Sequence, residues 1–275
     1  MINYNALKVD GLKDVLEAIA TACKQLDIDF FLVGAVARNI WYANSSKQLR
    51  GTEDIDFGIY VPDQETYKKL KDYLIKNYNY TYANDNAFGL NTPDGKRIDL
   101  LPFGEIANGG EVIMEGRGMT RIKLDGFEEA YKDGSVKTII ENETYKSCSI
   151  PGIVILKLIA YDDRPDRRIK DIKDIVQICI HFPEIEREII WTEHNDLNNG
   201  DISHDDLSLI VLGRLMKKIM ASNEMLTKRI IHIINQAING DSGILEHMIV
   251  DRMTETLDDK AAILKLIKRG ITHFF

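Results

Sequence analysis

The chain has 275 residues, of which 44% are hydrophobic and 28% are charged, a composition typical of a folded globular protein rather than a disordered one. The 35 basic residues are outnumbered by 43 acidic ones, which gives a net charge of −8. This balance argues against a broadly basic nucleic-acid-binding surface, so a polyanion would need a local basic patch or a bound metal ion.

Neither the first residues nor any later stretch shows a targeting or membrane signal. The sequence begins Met1-Ile2-Asn3-Tyr4, without a basic region followed by an apolar run, and the roughly 18 consecutive apolar residues of a membrane span are absent. We therefore expect a cytoplasmic protein that does not bind membranes. Cys23, Cys148 and Cys179 are scattered and form no CxxC pair, which favours free, packed thiols over disulfides or a zinc site.

The first segments alternate between helical and extended patterns. Apolar residues at helical spacing predict an amphipathic helix over residues 11–26. A short apolar strand over residues 29–33 follows and ends at Gly34. Residues 35–43 contain no helix breaker and favour a second helix. A strand over residues 54–61 and a polar helix over residues 64–78 come next.

The pattern changes near residue 149. Turn signals at residues 84–86 and 93–95 precede a strand at 97–102, and short β-like runs such as 111–114 and 136–140 follow. From residue 153 onward apolar residues recur at three- and four-residue spacing, and we expect only Pro165 and Pro183 to interrupt the helices. The sequence thus predicts an α+β fold, with a mixed-sheet α/β domain over residues 1–149 and an all-helical domain over residues 150–275.

Two carboxylates lie one residue apart on the strand at residues 54–61. Alternate side chains of a strand point to opposite faces, so Asp54 and Asp56 share one face while the residues between them form an apolar face. Like charges held side by side favour a bound cation, and carboxylate oxygens suit Mg²⁺. The pattern indicates a metal-binding edge for phosphoryl or nucleotidyl chemistry. In the alternative structural interpretation, Asp54 caps a turn and Asp56 pairs with Arg50 or Arg97.

Further charged residues extend this hypothesis. Asp99 adds a third carboxylate on the strand at 97–102, although neighbouring Lys96 and Arg97 also suggest a simple ion pair. Lys157 interrupts an apolar helical run and needs a partner. A phosphate of a nucleotide held between the two domains would serve, and so would Asp171 or Asp174, which share one face of the next helix.

Gly34, Arg38, Asp54, Asp56 and Asp99 follow an order of strand, glycine, helix, Asp-x-Asp strand and later Asp-bearing strand. This order resembles the polymerase-β-like nucleotidyltransferases. Segments of the second half resemble, more specifically, the AbiEii-type nucleotidyltransferases, the toxins of abortive-infection systems. These segments are Ile150-Pro151-Gly152, Leu156-Lys157-Leu158-Ile159-Ala160, Arg164-Pro165-Asp166-Arg167-Arg168, Lys170-Asp171-Ile172-Lys173-Asp174-Ile175 and Val211-Leu212-Gly213-Arg214.

The resemblance implies a set of roles around a nucleoside triphosphate substrate. Asp54 and Asp56 would hold Mg²⁺ or Mn²⁺, and Asp99 would complete the site as metal ligand, general base or both. Lys157 would contact a β- or γ-phosphate, and Asp171 would be required for activity. The acceptor would be tRNA or the protein itself, and an antitoxin would be the partner.

The triphosphate would lie at the helix that follows Gly34, because the free N–H groups of a helix N-terminus attract anions. The family usually has Gly-Ser or Gly-Gly where this chain has Gly34-Ala35, so a hydroxyl contact to phosphate is absent. That departure motivates an alternative, a non-catalytic nucleotide-binding module that acts through a partner. Arg38 matches the basic residue of the family motif, and a solvated surface arginine is the other interpretation.

The segment from Asp162 to Asp174 contains five acidic and five basic residues. Such a balance is typical of a solvated face with salt bridges. It could also present Arg164, Arg167 and Arg168 as a local patch for an RNA backbone.

Overall fold

The computed structural model describes residues 2–45, 47, 51–52, 54–197, 202–250 and 254–273. The chain divides into two compact units. The first comprises residues 1–131 and 135–149, and the second comprises residues 132–134 and 150–275.

The first unit combines a mixed sheet with helices. After a short 3-10 turn at Tyr4–Leu7, its elements are α1 (Leu12–Leu26), β1 (Asp29–Leu32), α2 (Gly34–Asn44), β2 (Asp54–Tyr60), α3 (Gln64–Tyr78), β3 (Thr81–Tyr82), β4 (Gly89–Asn91), β5 (Arg97–Phe103), β6 (Glu111–Ile113), β7 (Arg121–Lys123), α4 (Phe127–Lys132), β8 (Ser135–Ile140) and β9 (Glu143–Cys148).

Within the described residues, seven strands form the main sheet in the order β3-β4-β5-β2-β1-β9-β8. The central strand β2 pairs antiparallel with β1 and parallel with β5. Its alternate residues Ile55, Phe57 and Ile59 are fully buried, which confirms the apolar face expected from the sequence. Strands β6 and β7 form a separate two-stranded sheet.

The polar part of the β2 face that carries Asp54 and Asp56 ends at Gly58. It pairs with Phe31 across β1 and β2, and a side chain at Gly58 would overlap the Phe31 ring. The ring of Phe31 packs edge-on against those of Phe103 and Tyr131. An aromatic cluster therefore covers this face beyond residue 58, and the polar part of the face is confined to the N-terminal end of β2.

The second unit is helical throughout its described elements. They are α5 (Ile150–Asp163), α6 (Ile169–Ile185), α7 (Arg187–Glu193), a 3-10 turn at Asn195–Leu197, α8 (His204–Ile219), α9 (Glu224–Ile238), α10 (Ile244–Met248) and α11 (Leu257–Thr272). Helix α5 is apolar on all sides and almost entirely buried, as expected for the central helix of a helical core.

These elements confirm the predicted fold class, a mixed-sheet α/β part followed by an all-helical part. The predicted helices at residues 11–26 and 64–78 and the strand at 97–102 are present within one residue of their expected bounds.

The expectation that Pro183 interrupts a helix is wrong, because α6 runs through it to Ile185. A proline removes only one backbone N–H donor, and at Pro183 the last turn of the helix has few hydrogen bonds left to lose. Pro165 lies between α5 and α6, as predicted.

The three cysteines are free and buried, which confirms that they pack as thiols. Burial raises the pKa of Cys23 and of Cys179 to about 12, so neither is a reactive thiolate near neutral pH. Among the described helices, none combines the length and apolar character that crossing a membrane requires.

Candidate functional site

Strands β2 and β5 bring the three predicted carboxylates to one face of the sheet. In their parallel register Asp54 is opposite Arg97, and Asp56 is opposite Asp99. Neighbouring strands lie roughly 4.8 Å apart, so Asp56 and Asp99 are side by side, with Asp54 one pleat away on the same face. Sequence alone could not give this register, because residues 61–96 separate the two strands.

The backbone of Gly34 lies close to one of these acids, Asp56. It is the first residue of α2 and has a φ of +61°, a conformation that glycine adopts without steric cost. A side chain at Gly34 would overlap Oδ2 of Asp56, and the Val33 N–H donates to the Asp56 carbonyl oxygen at 3.2 Å. The Asp56 carboxylate therefore lies against the start of α2, where the helix dipole is positive.

Asp99 has two hydrogen-bond donors on one oxygen. Its Oδ1 accepts from Arg97 Nε at 2.8 Å and from Asn86 Nδ2 at 3.1 Å. Arg97 Nη1 also donates to Asp85 Oδ1 at 2.7 Å. The ion pair that the sequence suggested as an alternative for Asp99 is thus present, while Oδ2 of Asp99 accepts no hydrogen bond within the described residues.

Two other ion pairs that the sequence suggested between described residues, Arg97 with Asp56 and Lys96 with Asp99, are not formed. Arg97 forms its ion pairs with Asp85 and Asp99 rather than with Asp56, and Lys96 pairs with Asp94. Arg50, the other suggested partner of Asp56, lies outside the described residues.

The predicted site offers carboxylate oxygens to a metal ion. Across the part of the chain that the structure describes, no group of three or more His, Cys, Asp or Glu side chains could hold one. Asp54 and Asp56 still offer oxygen donors of the kind that hard cations bind. Asp54 is exposed and Asp56 is partly buried. The assignment of Asp54, Asp56 and Asp99 as joint ligands stays a prediction.

Arg38 is not a solvated surface residue, so that interpretation of it is wrong. It is only 4% exposed, it donates from Nη2 to Asn39 Oδ1 at 3.1 Å, and its guanidinium lies 5.9 Å from the centre of the Tyr42 ring. Asn39 is in turn fixed by a bond from Nδ2 to the Leu7 carbonyl oxygen at 3.1 Å. A buried cation one turn into α2 adds positive potential behind Gly34 and Ala35.

In the helical unit, Lys157 pairs with Asp171 and Asp174. The sequence suggested these carboxylates or a nucleotide phosphate as its partner. Its Nζ donates to Asp171 Oδ1 at 2.6 Å and to Asp174 Oδ2 at 2.8 Å. Arg168 lies 3.6 Å from the other oxygen of Asp171. The buried charge of Lys157 is thereby compensated within its own unit, and its predicted contact with a phosphate remains a prediction.

Sequence reasoning missed three residues around Asp99, namely Asp85, Asn86 and Gly89. The first two belong to the turn predicted at residues 84–86, which was treated only as a break between elements. Gly89 is the cross-strand partner of Asp99 in the antiparallel pair of β4 and β5. Polar residues in a turn between two short strands were the available signal, but the pairing of β4 with β5 that brings them to Asp99 is a tertiary feature.

The segment Val211-Leu212-Gly213-Arg214 contributes an ion pair through the buried side chain of Arg214. Arg214 on α8 donates from Nη1 and Nη2 to the two carboxylate oxygens of Asp196 at 2.8 and 2.7 Å. The same Nη1 lies 3.4 Å from His194 Nδ1. Arg214 therefore anchors the segment that follows α7 to α8.

Comparison with known proteins gives a family match. The model of the family described as nucleotidyl transferase AbiEii toxin, type IV toxin–antitoxin system, matches residues 15–217. No curated protein matches the chain in sequence.

Similar solved structures include nucleotidyltransferase-like proteins. The solution structure of the antibiotic-resistance factor ANT(2'')-Ia is 13% identical, over 56% of this chain and 73% of that one, with a TM-score of 0.37. The crystal structure of the same factor with adenylyl-2''-tobramycin is 14% identical, over 55% and 77%, with a TM-score of 0.36. An antigenic nucleotidyltransferase-like protein from Paracoccidioides brasiliensis is 15% identical, over 71% and 92%, with a TM-score of 0.38.

Proposed function

Since the chain belongs to the AbiEii family of nucleotidyltransferase toxins of type IV toxin–antitoxin systems, we propose that it catalyses a metal-dependent nucleotidyl transfer. A nucleoside monophosphate would move from a nucleoside triphosphate to an acceptor. The observation that carries this proposal is the register of β2 and β5, which puts Asp99 beside the Asp54 and Asp56 pair on one face.

Each acid has a role that follows from its position. Asp54 and Asp56 would hold Mg²⁺ or Mn²⁺ through their carboxylate oxygens, and Asp99 would contribute Oδ2. Divalent cations held there supply charge stabilisation to the attacking and leaving oxygens of the phosphoryl group. Asp99 is also the acid that would accept the proton of the acceptor hydroxyl, because its Oδ2 has no donor among the described residues.

The start of α2 would bind the triphosphate. Gly34 allows a substrate to approach the backbone closely, and the first N–H groups of the helix have no partner inside it. Buried Arg38 would strengthen this attraction. Ala35 supplies no hydroxyl, so binding would depend on backbone donors and charge.

By family resemblance, we further propose that Lys157 and Asp171 contribute to the reaction. Lys157 would contact a β- or γ-phosphate, and Asp171, 2.6 Å from its ammonium, would hold that ammonium in place. Asp174, 2.8 Å from the same ammonium, would be the second carboxylate partner of Lys157 in the absence of nucleotide.

The acceptor and the partner also follow from the family. We propose RNA, in particular tRNA, or a hydroxyl of the protein itself as acceptor, and an antitoxin as the regulatory partner. For RNA, Arg167 and Arg168 are exposed between α5 and α6 and would contact the backbone phosphates.

A screen of the four nucleoside triphosphates, each labelled at the α-phosphate, tests this proposal. The full chain is incubated with total RNA and with Mg²⁺ or Mn²⁺, and label in RNA and in protein is measured. We expect label from at least one nucleotide with wild type and none with Asp54→Asn or Asp56→Asn. Transfer that persists in both variants would refute the proposed site. Asp258→Asn, on an exposed residue of α11, is the matched control and should keep full activity.

A second candidate is a nucleotide-binding module without turnover. It is favoured by one observation, the ion pair through which Arg97 already neutralises Asp99. Calorimetry with each nucleotide, with and without Mg²⁺, distinguishes the two functions. Binding that does not depend on metal, with no label transfer, would favour the module. Binding that requires the cation and is followed by transfer would favour the enzyme.

A further inference from the structure

Besides the predicted acids, three further residues lie close to Asp99. They take no direct part in the proposed chemistry. We propose that Asn86, Gly89 and Arg97 are positioning residues for Asp99. They would fix the rotation of its carboxylate and leave Oδ2 as the reactive oxygen. This inference rests on the proposed nucleotidyl transfer and specifies how its third acid is oriented.

Two donors converge on the same oxygen of Asp99. Arg97 Nε and Asn86 Nδ2 both bond to Oδ1, at 2.8 and 3.1 Å. With both donors in place, rotation of the carboxylate would break two hydrogen bonds. Both are charge-assisted because they end on a carboxylate oxygen, and such bonds are stronger than neutral ones. The carboxylate is therefore held in one orientation.

Asn86 is itself fixed on its other side. Its Oδ1 accepts from the Phe88 N–H at 2.9 Å, and its side chain is buried. Because the amide oxygen is engaged by a backbone donor, the amide nitrogen must be the atom that faces Asp99. Asn86 therefore cannot flip without losing a buried hydrogen bond.

Gly89 makes room for the guanidinium of Arg97. It is opposite Asp99 in the pair of β4 and β5, and a Cβ there would lie 2.6 Å from Arg97 Nη2 and 2.7 Å from its Nε and Cζ. The guanidinium thus lies against bare backbone at Gly89 while Nε bonds to Asp99 and Nη1 bonds to Asp85. Any side chain at this position would push Arg97 away from Asp99.

The φ angle of Gly89 is not positive, so its backbone conformation does not require glycine. What requires glycine is the close approach of the Arg97 side chain. Since that side chain is flexible, an added methyl group can be accommodated by moving the guanidinium and leaving the strand intact. Gly89→Ala is therefore a mild substitution that acts on Asp99 through Arg97.

The test is a kinetic double-mutant cycle with the full chain, using α-labelled nucleoside triphosphate and Mn²⁺. We expect Gly89→Ala to lower kcat by about 10- to 100-fold, the scale of a misplaced reacting group, with little change in KM for the nucleotide. Arg97→Ala should lower kcat similarly. Adding Gly89→Ala to Arg97→Ala should have no further effect, because the methyl group acts only through the guanidinium.

Asn91→Ala is the matched control. Asn91 lies on the same strand and face as Gly89, and no hydrogen bond of its side chain is seen within the described residues. It should leave kcat unchanged. A folding defect would also lower the apparent kcat at unchanged KM, because it reduces the fraction of active protein. Thermal unfolding of every variant identifies such a defect, so kcat is compared only between variants that are folded at the assay temperature.

The outcomes are distinct. An active wild type whose kcat is unaffected by Gly89→Ala would overturn the positioning role and leave the proposed function intact. So would a Gly89→Ala effect that is undiminished in the Arg97→Ala background. A wild type that transfers no label from any nucleotide would refute the proposed function, and the positioning role would fall with it.

Discussion

Gly34 and Asp56 are in such close contact that a single methyl group on the glycine would overlap the carboxylate of the aspartate. The contact joins the first residue of α2 to the acid at the centre of the site. It explains why a glycine follows β1, since the residue also has a left-handed φ of +61°. Backbone conformation and proximity to the acid thus both select glycine here.

Gly34→Ala should therefore damage both folding and activity. A non-glycine residue in the left-handed region costs about 1–2 kcal/mol, and displacement of Asp56 should lower label transfer by roughly 100-fold. Chemical unfolding and the transfer assay measure the two effects. Gly51→Ala is the control, because among the described residues its methyl group would meet only the Lys8 carbonyl oxygen, at 3.9 Å. Full activity in Gly34→Ala would show that Asp56 need not stay where the contact holds it.

The cluster of Lys157 with Asp171 and Asp174 should dominate the stability of the helical unit. Lys157→Met leaves the buried carboxylate of Asp171 and the partly buried carboxylate of Asp174 without their shared cation, so we expect a loss of about 3–5 kcal/mol in the free energy of unfolding. Asp174→Asn keeps the bond from Lys157 to Asp171 and should cost less. Urea unfolding followed by circular dichroism measures both. A Lys157→Met variant as stable as wild type would show that these ion pairs do not stabilise the helical unit.

Glu186 should make stability depend on pH. It is 8% exposed, and burial, with a smaller effect of nearby Glu193, raises its pKa from 4.5 to about 7. A carboxyl group whose pKa is raised on folding favours the folded state when protonated. Its contribution is therefore fully present below pH 4.5 and is lost as the pH rises through about 7.

Glu186→Gln removes this penalty, so the variant should exceed wild type by up to about 3 kcal/mol at pH 8 and by much less at pH 5. Unfolding free energies of the two proteins across this range provide the measurement. Glu193→Gln should give a smaller change of the same sign. A difference that does not vary with pH would mean that Glu186 titrates normally in the folded protein.

The contact between α8 and α11 depends on two glycines. A Cβ on Gly213 would overlap the Ile267 carbonyl oxygen, and one on Gly270 would overlap that of Ile210. Either alanine substitution should force the helices apart and cost about 1–3 kcal/mol or more, measured by thermal unfolding. Lys265→Ala, at an exposed position of α11, is the control and should be close to neutral. Unchanged stability in both glycine variants would contradict the close approach of the two helices.

The features that the sequence predicted correctly are mostly local. The period of the apolar residues predicted α1, and strict alternation predicted β2 with its two acids on one face. These patterns depend only on backbone geometry over a few residues. The same reasoning allowed Asp99 an ion pair with Arg97, because the two side chains are two residues apart on one strand.

The features that the sequence did not predict depend on pairing between distant segments. The register that places Asp56 beside Asp99 and Gly89 opposite Asp99 is set by hydrogen bonds across three strands. Helical spacing likewise showed the apolar face of α8 but not that Gly213 meets α11. The sequence does not decide between Arg38 as the basic residue of the family motif and Arg38 as a solvated surface residue, because burial is a tertiary property. Its low exposure excludes only the solvated position.

The most direct test of the central claim, that Asp54 and Asp56 hold the cation of a nucleotidyl transfer, is label transfer as a function of Mn²⁺ concentration. Wild type should transfer label only when the divalent cation is present, and transfer should rise to saturation. The Asp54→Asn/Asp56→Asn double variant should transfer none at any concentration, while its thermal unfolding shows that it is folded. Equal labelling by wild type and the double variant would contradict the account.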